Sequence, residues 1–205
     1  MKISEKNIER LLLYRRILCG LRSENVENIY SHQLARIADT TPEQVRRDIM
    51  SIGYSGSSVK GYNIIRLIES IGEFTDARET QRVTIVGAGN LGRALIDYFQ
   101  GRRRKLSIAA IFDNDPQKID RVIHGVRCYS VEQMKEVIQK NNIDVAILCV
   151  PAAAAQQVAE LLIEAGIKGI LNYAPVKLSL PSHIYVENRD MLLAVEKVAF
   201  FSRQH

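Results

Sequence analysis

Gly87-Ala88-Gly89-Asn90-Leu91-Gly92 is the stretch of this chain whose residue types point most directly to chemistry, and that chemistry is the holding of phosphate. It follows the apolar run Val83-Thr84-Ile85-Val86 and leads into a segment of helical composition, Leu91–Phe99. In that setting each glycine has a task. Gly87 allows the tight turn, Gly89 lets a pyrophosphate approach the backbone, and Gly92 lets the helix pack on the sheet. The helix N-terminus then offers free N–H groups and the positive end of its dipole. The next strand ends Ile111-Phe112-Asp113, which puts a carboxylate 21 residues past the last glycine, where it can bond ribose hydroxyls. A carboxylate there repels a 2′-phosphate, so NADH and NAD+ are favoured over their phosphorylated relatives. Cys149-Val150-Pro151 ends a later strand at the same carboxyl edge. The rarer alternative is a CoA-type ligand on a related fold. A glycine turn with no ligand leaves the spacing of Asp113 unexplained.

Other reactive residues do not assemble. Cys19, Cys128 and Cys149 lack metal-ligand spacing and read as core thiols of a reducing, cytoplasmic compartment; no metal site is expected. The histidines (His32, His124, His183, His205) do not converge, and His124 reads as a loop residue within Val122–Gly125. A dehydrogenase needs a substrate pocket and a proton-moving group. Residues 82–187 are consumed by the dinucleotide fold, so no catalytic residue is assigned.

The elements that position the glycine turn are strands alternating with helices: VTIVGAG, LSIAAIFD, RCY, DVAILCVP, GILNYA and HIYVEN, with helices at 91–99, 130–140 and 152–165. Ser130-Val131-Glu132-Gln133 reads as a capping box. This alternation predicts a Rossmann-like, doubly wound parallel sheet.

Residues 1–72 have a different texture, that of short helices with one Gly/Ser-rich excursion. Ile8, Leu11, Leu12, Arg15 and Leu18 follow helical spacing. Ser31 is placed to cap a second helix that turns Leu34, Ile37 and Ala38 inward. Thr41-Pro42-Glu43-Gln44 opens a third helix burying Val45, Ile49 and Ile52, with Gln44 where a capping box wants it. Residues 53–62 read as a tight hairpin, and a fourth helix runs from about Ile64 to Gly72. That order is a winged helix-turn-helix. Its third helix would present Gln44, Arg46, Arg47 and Met50 to the major groove, where Gln and Arg read base edges or bond phosphates. A winged helix used only for protein contact is the alternative. Residues 73–81 read as a linker. The division is then 1–80 (winged helix), 81–188 (Rossmann) and 189–205 (C-terminal helix).

The net charge of +5 among 205 residues permits nucleic acid as a partner without requiring it. The excess is not at the N-terminus, since residues 1–80 carry 12 basic and 11 acidic side chains. Arg102-Arg103-Arg104-Lys105 reads as a solvated loop, or as a patch facing DNA or phosphate. No apolar run is long enough for a membrane span, and no signal peptide is evident. Asp190–Phe201 is apolar around more than one stripe yet ends the sequence. Insertion into a second copy would cover it, making a domain-swapped homodimer suited to a palindromic operator.

Together these residues resemble the Rex family of bacterial redox-sensing transcriptional repressors. The specific pieces are Arg10-Leu11-Leu12-Leu13-Tyr14, Gln44-Val45-Arg46-Arg47-Asp48, Gly61-Tyr62, Gly87–Gly92, Phe112-Asp113-Asn114-Asp115-Pro116 and Gly166–Pro175. The resemblance implies a homodimer that binds operator DNA when NADH is scarce and releases it when NADH rises, with the C-terminal helix swapped. It also implies a network of Arg16, Tyr98 (after the Rossmann helix) and Asp190 that changes with cofactor state. The family usually has proline at Leu12, and basic wing residues where Ser57 and Ser58 stand, while Lys60 replaces an uncharged one. Those departures touch the wing contacts made by Ser57, Ser58 and Lys60. The competing readings are a small NAD-dependent reductase with an accessory helical domain, and a CoA-binding or purely structural dimer.

A dry apolar pocket around the nicotinamide disfavours the charged oxidised ring relative to the neutral reduced one. Nearly complete switching needs about 5.5 kcal/mol of differential binding, which two cofactors per dimer could share.

Overall fold

Four helices and a two-stranded ribbon make up the N-terminal unit in the computed structural model, which describes residues 4–99 and 105–204. The chain divides into two compact units, one through Arg78 and one from Glu79. Arg102, Arg103 and Arg104 of the basic run lie outside the described residues.

In the first unit, α1 (Glu5–Ser23) buries Leu11, Tyr14 and Leu18. Leu12, expected inside, is 39% exposed, because burial follows the ladder 11–14–18 and Tyr14 takes the inner position. Strand β1 (Asn28–Ile29) leads to α2 (Ser31–Ile37). The cap of α2 is Tyr30 rather than Ser31: the Tyr30 backbone N–H donates to Gln33 Oε1 at 2.8 Å. Leu34 and Ala35 are buried and Ile37 is not, since α2 ends there and its inner face is set one turn earlier. Helix α3 (Pro42–Ser51) begins as its sequence requires, with the Thr41 hydroxyl accepting from the Gln44 backbone N–H and Pro42 in the first turn. Ile52, expected in the core, is only half-buried past the helix end. The expected hairpin reduces to one reciprocal backbone pair, Ser57 with Gly61, after which β2 (Tyr62–Asn63) pairs antiparallel with β1. Helix α4 (Ile64–Thr75) runs past Gly72, so the expected linker starts later. Arg15 grips Asp76 with two hydrogen bonds of 2.5 and 2.7 Å at that helix end.

In the second unit the strands are β3 (Gln81–Val86), β4 (Leu106–Asp113), β5 (Val122–Ile123), β6 (Val126–Ser130), β7 (Ile143–Leu148), β8 (Gly169–Asn172) and β9 (Tyr185–Asn188). Their order is β5-β6-β4-β3-β7-β8-β9, parallel except for β5 against β6. Val122-Ile123, read from sequence as loop, is thus a strand. His124 and Gly125 both take left-handed backbone and close a two-residue turn into β6. Alternation along β3 sends Val83 and Ile85 to the face covered by α5 (Asn90–Phe99), where Ile96 packs. Val86 goes to the opposite face, which carries α6 (Met134–Lys140) and α7 (Ala152–Ala165). Helices on both faces of a parallel sheet make the doubly wound fold. Ser130 forms the expected capping box with Gln133 at the start of a single 3-10 turn. Cys128 is buried and Cys149 half-buried, but Cys19 is exposed on α1, next to inward-facing Leu18. The last helix, α8 (Met191–Phe201), buries none of its residues. Among the described residues, no helix is long and apolar enough to cross a membrane.

Candidate functional site

Strand β3 is where the sheet changes direction of growth, with β4 on one side and β7 on the other. The carboxyl ends of β3 and β7 part there, and ligands of doubly wound folds bind at such a point. A cleft of about 650 Å³ opens between them, lined by Gly87, Gly89, Asp113, Cys149, Val150 and Pro151 among others. Of the other sequence-chosen residues, Ala88 and Gly92 are buried behind the turn, and Asn90 and Leu91 begin α5 without lining the cleft.

The three glycines are distinguished by what a side chain would meet. Gly87 has φ +101°, and a Cβ there would overlap the carbonyl oxygen of Cys149. A Cβ at Gly92 would overlap the Gly87 carbonyl oxygen. At Gly89 a Cβ would meet no atom within 4 Å. Two glycines are therefore demanded by the protein's own packing. The third faces open space, as a position does where a pyrophosphate must approach. The residues present fit a dinucleotide.

Asp113 is 7% exposed, and its carboxylate is already engaged. Oδ2 accepts from the Ala88 backbone N–H at 2.7 Å, and Oδ1 accepts from the Asp115 N–H at 2.9 Å. Lys118 Nζ lies 3.4 and 3.3 Å from the two oxygens and 3.3 Å from Asp115 Oδ2. The expected ribose ligand therefore also braces the glycine turn. Sequence reasoning missed Lys118, which lines the cleft. It lies five residues beyond Asp113, past a proline turn, and periodicity gives no sign of its return. Partial burial works against the Lys118 charge, but hydrogen bonds and charge from Asp115 and Asp113 prevail and raise its pKa. The Asp115 pKa is lowered by the Gln117 backbone N–H and by Lys118. Arg93 was missed too; its Nε donates to the Ala88 carbonyl at 3.0 Å and clamps the turn from α5. A cation in the first turn after the glycines was the available signal. Burial pushes the Cys149 thiol up to about 12, so it is no nucleophile at neutral pH.

In the first unit, α3 carries Gln44, Arg46 and Arg47. Arg46 is exposed, donating to Glu43 Oε1 at 2.8 Å and to the Ser31 hydroxyl at 3.0 Å. Arg47 is exposed, with Nη2 3.4 Å from Gln44 Oε1. Met50 is 68% exposed. Gln44 does not complete the expected capping box, because its Nε2 donates to Asp48 Oδ1 at 2.7 Å. Ser57, Ser58 and Lys60 are exposed in the wing. The Ser57 hydroxyl accepts from the Val59 and Lys60 backbone N–H groups, each at 3.2 Å, so it shapes the turn. The Tyr30 hydroxyl donates to the Val59 carbonyl at 2.7 Å, a wing contact that sequence reading did not foresee.

Arg16 is exposed on α1 of the first unit. Tyr98 is exposed and lies inside α5 rather than after it, because the helix continues to Phe99. Asp190 is the N-cap of α8, with Oδ1 accepting from the Leu193 N–H at 3.0 Å.

Residues 78–176 match the family model described as CoA binding domain, and residues 2–49 match one described as "Putative DNA-binding protein N-terminus". Over 203 residues the chain is 36% identical to the redox-sensing transcriptional repressor Rex of Carboxydothermus hydrogenoformans, covering 99% of this chain and 98% of that one. It is 37% identical over 200 residues to the protein of the same name from Desulfitobacterium hafniense, covering 98% and 95% respectively. Among solved structures it is similar to RSP, a Rex-family repressor, with a TM-score of 0.90 at 31% identity over 100% of this chain and 96% of that one. RSP in complex with β-NAD+ and operator DNA gives a TM-score of 0.91 at 31% identity, over 100% and 94%. RSP in complex with β-NADH gives 0.88 at 31% identity, over 100% and 96%.

Proposed function

The chain belongs to the Rex family of redox-sensing transcriptional repressors, and from that membership we propose that it represses transcription in answer to the NADH/NAD+ balance, holding operator DNA and releasing it when NADH binds. The observation that carries this reading is the glycine turn at the sheet's switch point, open at Gly89, on the same chain as a capped and exposed α3. The relatives are named as repressors and not as enzymes, so the protein is a regulator rather than a reductase. Whole-chain similarity to a protein solved with NADH, and with NAD+ and operator DNA, favours NAD(H) over CoA despite the name of the matching model.

NADH and NAD+ supply the signal when bound; no bond is made or broken. The residues that would hold them are Gly87, Gly89, Asp113, Cys149, Val150 and Pro151 at the cleft, supported by Ala88, Asn90, Leu91 and Gly92. Asp113 would offer lone pairs to ribose hydroxyls in place of its long contacts to Lys118. Gln44, Arg46 and Arg47 are the DNA contacts on α3, with Ser57, Ser58 and Lys60 on the wing. Arg16, Tyr98 and Asp190 form the switch network.

The working form is a homodimer in the cytoplasm, with domains 1–80, 81–188 and 189–205. On α8, Leu192, Leu193, Val195 and Val198 are each more than 60% exposed. A swapped second copy would bury them, and a dimer fits a palindromic operator with half-sites about 34–36 Å apart.

The test is a gel shift on duplexes that the full-length protein selects from a randomised pool, titrated separately with NADH and NAD+. Loss of the complex with NADH and little change with NAD+ is expected. Failure to enrich any sequence, or equal loss with both nucleotides, overturns the reading.

A further inference from the structure

The geometry points to Asp48 as the positioning residue that fixes which way the Gln44 amide faces, and thereby what α3 presents to base edges. This inference rests on the DNA-binding reading above. Asp48 lies on the buried face of α3 and is 1% exposed. Its Oδ2 accepts from Arg10 Nε at 2.6 Å and from the Tyr14 hydroxyl at 3.0 Å. Its Oδ1 accepts from Arg10 Nη2 at 2.8 Å, Gln44 Nε2 at 2.7 Å and Asn7 Nδ2 at 3.0 Å. Four residues thus converge on one carboxylate.

Arg10 alone would neutralise Asp48, since the guanidinium fork already engages both oxygens. Gln44 is not needed for charge balance. What its bond does is settle an orientation. A glutamine amide has a donor end and an acceptor end, and a free one can turn either outward. Asp48 is ionised, so it only accepts, and the donor end must face it. Burial would raise the Asp48 pKa, but hydrogen bonds from Arg10, Gln44 and Tyr14 outweigh that and hold it below the ordinary value.

The carbonyl oxygen of Gln44 is thereby turned to the side of Arg47, whose Nη2 lies 3.4 Å away. An unconstrained glutamine suits adenine, pairing donor and acceptor with N7 and N6 together. Gln44 held this way favours acceptance from a base amino group, beside a cation that seeks N7 and O6 of guanine. Arg10 and Asp48 thus reach the reading face through Gln44 without touching DNA themselves.

The experiment compares full-length wild type, Asp48→Asn, Gln44→Ala and the double variant. The readout is the ratio of affinities for the selected duplex and a shuffled duplex at one salt concentration, with NADH affinity measured alongside. In Asp48→Asn the amide that replaces the carboxylate can donate to Gln44 Oε1, so it permits the reversed orientation. The ratio is expected to fall about tenfold in each single variant and no further in the double, with NADH affinity unchanged. An unchanged ratio in Asp48→Asn overturns the inference, as does a double variant whose losses multiply, the result of a purely structural Asp48. Should Asp48→Asn fail to fold, Gln44→Glu breaks the same link from the half-exposed side. It is expected to lose the ratio about tenfold, and retention of the wild-type ratio overturns the inference. A wild type without any preference for the selected duplex would instead overturn the DNA-binding reading itself.

Discussion

A side chain at Gly87 would overlap the carbonyl oxygen of Cys149, so the turn after β3 closes directly on the backbone that leaves β7. Gly89, two residues on, meets nothing within 4 Å. The two positions separate packing from ligand approach. Gly87→Ala is expected to destabilise the second unit by about 1–3 kcal/mol and to lower the Tm by several degrees. Gly89→Ala is expected to keep the wild-type Tm while weakening NADH binding at least tenfold, which is about 1.4 kcal/mol. Calorimetry and NADH fluorescence titration check the pair.

Tyr30→Phe removes the hydroxyl that donates to the Val59 carbonyl and leaves a ring that can still stack on His32. A net hydrogen bond of about 1 kcal/mol is at stake. The selected duplex is expected to bind severalfold more weakly, with NADH affinity unchanged. A gel shift beside a fluorescence titration reads both.

The thiols are expected to sort by environment. Burial, aided by the Asp113 charge, pushes Cys128 up to about 11, and burial pushes Cys149 up to about 12. At pH 8 their thiolate fractions are on the order of 10⁻³ and 10⁻⁴, and the thiolate is the reactive form. Exposed Cys19 is expected to take up iodoacetamide at least tenfold faster than either, as peptide mass mapping over time would record.

At Asp190 the switch role and the helix cap can be pulled apart. Asp190→Ala removes the bond to the Leu193 N–H and costs α8 about 1 kcal/mol. Asp190→Asn keeps a capping oxygen and loses only the charge. If the charge belongs to the switch, Asp190→Asn keeps NADH affinity within severalfold while DNA release no longer follows NADH. Release at the wild-type NADH concentration would remove Asp190 from the network.

Acid is expected to loosen the N-terminal unit through Asp48. Its folded pKa is depressed, so its contribution is present above the unfolded carboxylate value and is lost as pH falls through the folded one. The stability difference between wild type and Asp48→Asn is therefore expected to be full at pH 6 and to shrink below about pH 4, the ordinary carboxylate range. Urea unfolding at stepped pH measures it.

Period and punctuation made much of this protein legible before its coordinates. The β3–turn–α5 unit was readable because strand, glycines and helix are contiguous, and Thr41-Pro42 marked the start of α3 because caps are local. What escaped depends on distant partners. Tyr14 displaced Leu12 because the inner face of α1 is chosen by the elements it packs against. The burial of Asp48 could not be read locally, because it depends on Arg10, 38 residues earlier, being brought to it. Lys118 entered the site through a turn that no short motif announces, whereas Arg93 was marked only by its charge one position past the last glycine.

Helix α8 has 11 residues and none of them is buried. Isolated helices shorter than about 12–15 residues are marginal in water. In the proposed swapped homodimer, the order of this segment is lent by the second copy, and its helicity becomes a gauge of protein abundance. If that dimer is the working form, dilution that parts the two chains unwinds the tail of each.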